Sequence, residues 1–373
     1  MIRHKAYKFR IYPNTEQQVL LAKTFGSVRL VYNHFLGVKT KLYEEEKRAM
    51  SYTQCAAELV SLKSEKSFLK EVDSIALQQS LRHLDTAFQN FFRDKKVGYP
   101  KFKSKKHHHC SYTSVCVNNN IRLENGVLVL PKVGKVRIKQ HRMIPEGYVL
   151  KSVTVSRTPS GKYYASILYD HETEVKSTEL SRAIGLDFSM PDLFVSSEDD
   201  IQMDKNFLHH YRRSQAKLAK EQRILSHRKK GSNRYYKQRR KVAVLHEKIS
   251  NQRKDYLHKV SRQIANAYDI VCVEDLNMQD MSQTLNFGKS VADNGWGMFL
   301  RFLEYKLADS GKTLVKIDKW YASSKTCCIC GYVNQGLTLC DRNWECPVCH
   351  TFHERDKNAA INIKAEGLRI AFA

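Results

Sequence analysis

Six cysteines crowd one short window: Cys327, Cys328, Cys330, Cys340, Cys346 and Cys349. Four of them follow the pattern Cys327-x2-Cys330-x15-Cys346-x2-Cys349. Each CxxC forms a tight knuckle that offers two thiolates to one tetrahedral ion, and the long loop lets the two knuckles face each other. This is zinc-ribbon spacing, and it predicts one structural zinc ion. A closed four-thiolate site keeps no open position, so the ion holds structure and does no chemistry. Cys328 and Cys340 fall out of register and are read as spectators, although Cys328 can compete with Cys327. The remaining cysteines, Cys55, Cys110, Cys116 and Cys272, are scattered. The first eight residues, MIRHKAYK, hold no apolar core of a secretion signal. Clustered cysteines in such a chain are used for metal rather than disulfides, which predicts a reducing, cytoplasmic setting.

The chain has 373 residues, enough for two to four domains at roughly 100–200 residues each. It carries 63 Lys and Arg against 38 Asp and Glu, a formal net charge of +25. The charge predicts a polyanionic partner, most simply nucleic acid. No apolar run approaches the ~18 residues of a membrane helix, so a membrane protein is not expected.

Residues 4–12, HKAYKFRIY, read as a strand stopped by Pro13. Thr15 with Gln18 fits a capping box, and helical spacing follows to about residue 45. Leu77, Leu81, Leu84, Phe88 and Phe91 share one helix face, and the Gly98-Tyr99-Pro100 breaker ends it. Residues 14–105 therefore read as a helical unit. Beyond His107-His108-His109 the pattern alternates, with turns at Asn125-Gly126 and Ser160-Gly161. Residues 106–178 read as a small β-barrel or sandwich. If strand 4–12 belongs to it, the helical unit is an insertion. The three histidines are read as a basic linker, because consecutive side chains cannot all face one ion.

From about residue 180, IGLDFS, DLFVSS, DIVCVEDL and KTLVKIDKW read as short strands. Between them lies a long basic helical stretch, 204–266, that folds back near Gly231-Ser232. Its segment 205–263 holds only Glu221, Glu247 and Asp255 as acids, which raises phosphate contact to equal standing with a solvated hairpin. An amphipathic helix at 294–310 places Trp296 and Phe299 in a core. A last helix spans 354–368.

Three acids stand at element ends: Asp187 closes IGLD, Glu274 closes IVCVE, and Asp356 opens the last helix. Acids kept in so basic a chain need a reason. Carboxylates on adjacent strand ends plus one on a helix can hold two magnesium ions for phosphodiester hydrolysis. Each acid taken alone also fits a turn or a helix N-terminus. The ordered set is more telling: strand–acid, basic helices, strand–acid, zinc knuckles, helix–acid. It matches a ribonuclease-H-like nuclease fold with a zinc ribbon before the last acid.

IGLDFS, VCVEDLNM, SSKTCCICGYV, WECPVCH and HERDKNAAINI resemble the RuvC-type nuclease and zinc motifs of the TnpB (OrfB) family. FRIYPN, VRLVYN, LQQSLRHLDTAFQNFF and GYPKFKSKK are similar to that family's recognition-lobe signatures. The resemblance covers nearly the whole chain. TnpB proteins are RNA-guided DNA endonucleases of bacterial insertion sequences and relatives of type V CRISPR effectors. The implied fold is multi-domain α+β. Residues 1–13 supply the first strand of a split β-barrel wedge domain, 14–105 a helical recognition insertion, and 106–178 the rest of the wedge barrel. A ribonuclease-H-like (RuvC) α/β nuclease domain follows at 179–320 and 353–373, with a zinc-ribbon target-nucleic-acid insertion at 321–352.

The resemblance implies a guide RNA from the transposon end and a double-stranded DNA target beside a short adjacent motif. It implies two catalytic magnesium ions held by Asp187, Glu274 and Asp356, with no obligatory protein partner. The protein would act at the bacterial nucleoid. Ser189 stands where many members carry Gly. Arg29, Tyr32, Asn33 and Gln78 become candidates for reading the adjacent motif, against a reading as ordinary helix packing. Lys101, Phe102 and Lys103 become candidates for RNA backbone and base stacking, against a solvated linker. Two other functions compete. The three intact acids count against an RNA-guided regulator without cleavage. A strand-joining transposase would act without a guide.

Overall fold

The computed structural model describes residues 2–94, 96–107, 110–172, 180–201, 205–278, 295–338 and 340–373. It divides into two compact units, Met1–Glu174 and Val175–Ala373. His108, His109 and the expected boundary at 178/179 lie outside the described residues.

The first unit opens with β1 (Ile2–Tyr12), followed by α1 (Thr15–Glu46), α2 (Tyr52–Glu65) and α3 (Ser74–Arg93). Then come β2 (Cys110–Val115), β3 (Arg122–Glu124), β4 (Val127–Leu130), β5 (Gly134–Lys139), β6 (Val149–Arg157) and β7 (Tyr163–Glu172). The α1 cap is one residue earlier than its sequence suggests. Asn14, not Thr15, caps the helix: its Oδ1 accepts from Gln17 N at 2.8 Å, and its own N–H donates to Gln17 Oε1 at 3.0 Å. Gln18 instead donates to the Pro13 carbonyl.

The strands form one antiparallel sheet in the order β2-β6-β7-β1-β5-β4-β3. β1 sits inside it, pairing with β7 along most of its length and with β5 at Arg10–Tyr12. Asn125 and Gly126 both adopt positive φ, 47° and 74°, as the tight β3–β4 turn demands. Among the described residues β2 and β3 do not pair, so the expected barrel is a curled half-barrel. β3 and β4 span only three and four residues, too short to reach round and close it. β2 is instead engaged by the helices. Tyr112 meets Phe25 with ring centroids 5.8 Å apart, and the Ser114 hydroxyl donates to buried Asp73 at 2.5 Å. Helices and sheet share one continuous apolar core.

The second unit carries β8 (Ala183–Ser189), β9 (Leu193–Ser196), α4 (Lys205–Ser226), α5 (Asn233–Ala267) and β10 (Ile270–Glu274). It continues with α6 (Trp296–Asp309), β11 (Thr313–Ile317), β12 (Asn343–Glu345), β13 (Phe352–Glu354) and α7 (Arg355–Ala371). The main sheet runs β11-β10-β8-β9. β8, β10 and β11 are parallel, and β9 is antiparallel to β8.

Side-chain alternation sorts the two faces. Ile184, Leu186, Val271 and Val273 pack under α5 and α6 with Leu257, Ile264, Trp296 and Phe299. Ile270 and Cys272 point the other way, onto Ile363 of α7. α7 lies so close that Gly185 and Gly367 cannot be anything larger. A Cβ on Gly185 would sit 2.0 Å from the Ala360 carbonyl oxygen, and one on Gly367 would sit 2.3 Å from Cys272 Sγ. Gly185→Ala should therefore push α7 off the sheet. The expected loss is about 1–3 kcal/mol or more, as in other overpacked cores, and urea unfolding measures it. α4 and α5 form the expected antiparallel hairpin, pinned where Gln238 donates to the Glu221 carbonyl at 2.9 Å.

Candidate active site and zinc ribbon

The alternation that sends Cys272 toward α7 also sends Glu274 there, and the alternation that presents Gly185 presents Asp187. The β8–β10 register runs Cys272↔Gly185 and Val273↔Leu186, so Asp187 and Glu274 are one step further along the same two parallel strands. Asp356, the second residue of α7, arrives over the same strand ends. All three carboxylates line one cleft of about 730 Å³. Ser189, Met190 and Pro191 form one side of it; Lys319, Tyr321 and Ser323–Lys325 lie along it, and ribbon residues Leu337, Thr338 and Arg342 line it as well. Leu193, at φ 73°, closes the tight β8–β9 turn that carries Met190 and Pro191.

The cleft holds opposed charges. Burial, then the nearby charges of Glu274 and Asp356, push the Asp187 carboxyl up to about 8. Burial also raises Glu274, while the Ser323 hydroxyl, donating to its Oε1 at 2.5 Å, restrains the shift. Asp356 accepts from Arg342 Nη1 at 3.2 Å and from Arg355 Nη2 at 3.0 Å. Carboxylates that suppress one another's ionisation suit hard divalent cations. Sequence reading missed both arginines and Ser323. Arg355 and Asp356 are sequence neighbours, but Arg342 reaches Asp356 only through the folded ribbon.

The ribbon is built as its spacing requires. Sγ atoms of Cys327, Cys330, Cys346 and Cys349 all lie within 4.8 Å of one another. Cys327–Cys349 and Cys330–Cys346 approach to 3.6 and 3.5 Å. Thr351 holds the Cys349 thiol down at about 6, toward the thiolate a cation needs. The four-sulfur set fits zinc, with Cys328 and Cys340 outside it. Buried His353 places Nε2 3.1 Å from Cys327 Sγ and packs against Trp344. Among the described residues this is the group that closes tightly enough to ligate one ion.

The ribbon and the cleft are hydrogen-bonded together. Asn358 of α7 accepts from Cys328 N at 3.0 Å and donates to the Thr326 carbonyl at 2.7 Å. Asn362, one turn on, donates to the carbonyls of Ser323 and Thr326 at 2.8 and 2.6 Å. One knuckle thus grips the helix that carries Asp356, and its lead-in segment grips Glu274 through Ser323.

The other sequence candidates lie in the first unit. Asn33 uses its amide on Lys103, accepting from N at 2.8 Å and donating to O at 2.9 Å. Tyr32 is buried, with the Lys103 ammonium 3.8 Å from its ring centroid. These three brace the chain after the Gly98-Tyr99-Pro100 turn. Gln78, Lys101 and Phe102 are exposed, and Arg29 is half-buried. Trp296 and Phe299 are core, as expected. Among the described residues no helix is long and apolar enough to cross a membrane.

Three family models match the chain: "Probable transposase" (OrfB of IS605) over 166–285, "Cas12f1-like, TNB domain" over 296–363, and "Helix-turn-helix domain" over 1–48. In this structure the last segment is a strand followed by one long helix, with no helical turn pair. The chain is 40% identical over 370 residues to a "Putative RNA-guided DNA endonuclease" of Streptomyces pristinaespiralis, covering 98% of this chain and 89% of that protein. It is 31% identical over 384 residues to InsQ of Escherichia coli K12, which bears the same description, covering 98% and 93%. A chain of the Cas12f1–sgRNA–target DNA complex shares its fold, with a TM-score of 0.55 at 14% identity, covering 97% of this chain and 99% of that one.

Proposed function

This chain belongs to the TnpB (OrfB) family, and we propose that it is an RNA-guided, magnesium-dependent DNA endonuclease. It cuts duplex DNA complementary to a guide RNA transcribed from the transposon end, beside a short adjacent motif. The convergence of Asp187, Glu274 and Asp356 on one cleft carries the reading. Relatives similar over nearly the full chain and named for this activity support it. The wedge and recognition layout proposed for residues 1–178 goes with it.

Asp187, Glu274 and Asp356 would hold two magnesium ions. When bound, these supply an activated water and charge stabilisation for the leaving 3′-oxygen. The chain's own groups do the rest. Ser323 fixes the Glu274 carboxylate, and Arg355 sets the direction of Asp356. Arg342 and Lys319 bring positive charge to a cleft that would otherwise repel a phosphodiester. The zinc ribbon holds the start of α7, and so Asp356, in place.

Arg342 is bound to Asp356 on one side and open to the cleft on the other. Arg342→Ala should lower the maximal cutting rate by about 10–100-fold, the range for losing a charge-assisted hydrogen bond. The same change frees Asp356 of an exposed ion pair. The half-saturating magnesium concentration should then fall, but by no more than about fivefold. Initial rates across a magnesium series separate the two effects.

The proposal is tested by co-expressing the chain with its transposon-end RNA, retargeted to a known sequence. The purified particle is challenged in magnesium with a plasmid library carrying that target beside randomised bases. RNA-dependent linear product, one enriched flanking motif, and loss of product in Asp187→Ala are expected. RNA-dependent binding without cutting would give the regulator instead. Nicking that ignores the guide would sink the reading.

A further inference from the structure

Three tryptophans occur in the chain, and two are core: Trp296 is 1% exposed and Trp344 is 7% exposed. Trp320 is 82% exposed. It follows β11 by three residues, and Ile317 of that strand pairs with Glu274. Its turn is hydrogen-bonded: Trp320 N–H donates to Asp318 Oδ1 at 2.7 Å, and Tyr321 N–H donates to the Asp318 carbonyl at 3.1 Å. Its two neighbours, Lys319 and Tyr321, both line the acidic cleft. The Lys319 ammonium sits 5.0 Å from the Trp320 ring centroid. An exposed aromatic ring with a cation over one face thus lies between two residues that line the cleft, which also holds Lys325 and Arg342.

We propose that Trp320 is the stacking platform for an unpaired base of the DNA strand that enters this cleft, with Lys319 on the adjoining phosphate. The proposal rests on the nuclease reading above. Charge complementarity favours a nucleic acid strand over a protein or an apolar ligand. Every base has a π-face, so the platform accepts any sequence. In a duplex each base is already stacked and its faces are covered. The platform therefore selects a strand that has been opened.

Only one tryptophan is exposed, so the chain reports on the contact itself. The full-length protein, loaded with its RNA and kept free of magnesium, is titrated with a short oligothymidylate and separately with a duplex of equal length. Binding is followed by anisotropy, and tryptophan emission is recorded in parallel. The single strand should quench the iodide-accessible emission, and the duplex should quench it far less. Trp320→Ala should abolish the quench and raise KM for guided cutting of complementary DNA roughly tenfold, the scale of one lost base–aromatic stack. Its kcat should stay within about twofold, and Trp320→Phe should recover most of the loss. Zinc content and circular dichroism, unchanged in an exposed-site variant, confirm the fold.

Bound single strand with unaltered emission would overturn the proposal, as would equal quenching by duplex or an unchanged KM in Trp320→Ala. A wild-type particle that binds and is quenched but never cuts would sink the nuclease reading and leave the stacking contact standing.

Discussion

Asp187→Asn is expected to abolish cutting and, in zinc-loaded but magnesium-free protein at pH 8, to raise the melting temperature. The loss of rate should be a thousandfold or more, about 4 kcal/mol of transition-state stabilisation. The gain in stability follows from linkage. The Asp187 carboxyl, ordinarily near 3.8, titrates at about 8 in the folded chain, because it is buried beside Glu274 and Asp356. A raised folded-state pKa means that the folded chain holds its proton more tightly than the unfolded chain. The stability this gives is fully present below pH 4 and is lost as pH rises through about 8. Asparagine does not titrate, so the variant escapes that loss. Calorimetry in magnesium-free buffer, with zinc retained, should show a Tm higher by about 5 °C at pH 8, and a clearly smaller gain at pH 5. Equal melting temperatures at both pH values would contradict this account of the site.

The same proton sets the pH dependence of metal loading. Below about pH 8 a proton competes with a cation at Asp187. Apparent magnesium affinity should rise by up to roughly tenfold per pH unit until that point. Half-saturating magnesium measured between pH 6 and 9 checks the slope and where it ends.

Removing zinc should be the more severe lesion, because it takes two of the three carboxylates with it. Structural zinc of the four-thiolate class contributes roughly 10–16 kcal/mol in small metal-folded units. The ribbon between Cys327 and Cys349 has a small core, Leu337 and Trp344 packed among the cysteines, which cannot replace that. Cys346→Ser, or prolonged chelation, should unfold it. Asn358 and Asn362 then lose the carbonyls they grip, and Ser323 no longer fixes Glu274. Cutting should fall to background even with magnesium in excess. Binding of the proposed guide RNA should survive, and filter binding tests that. Asn362→Ala is the finer probe: with zinc bound, it should lower the rate by ~5–10-fold for one lost buried hydrogen bond. Full activity in the zinc-free protein would disprove the mechanical link between ribbon and cleft.

Much of this was legible in the residues themselves. The CxxC spacing determined the four-sulfur cluster, because a knuckle is a local structure and the loop length is all that closure requires. The Asn-Gly turn, the fold-back near Gly231 and the order of acids on strand, strand and helix were equally local. The capping residue was misplaced by one position, because Asn14 and Thr15 are both competent and only the entry of β1 into the sheet decides between them. What sequence could not supply was who meets whom at a distance. Arg342 is 14 residues before Asp356, and Ser323 is 49 after Glu274, so nothing local pairs them. Asn33 reads as a base-recognition residue until the fold sets Lys103 against it. The half-barrel was likewise a tertiary outcome, since closure depends on strand reach and not on alternation. Residue type and spacing determined which chemistry this chain carries. Tertiary packing, with α7 clamped against Gly185 and Cys272, decided where that chemistry is assembled, because three carboxylates that repel one another come together only when the core holds them there.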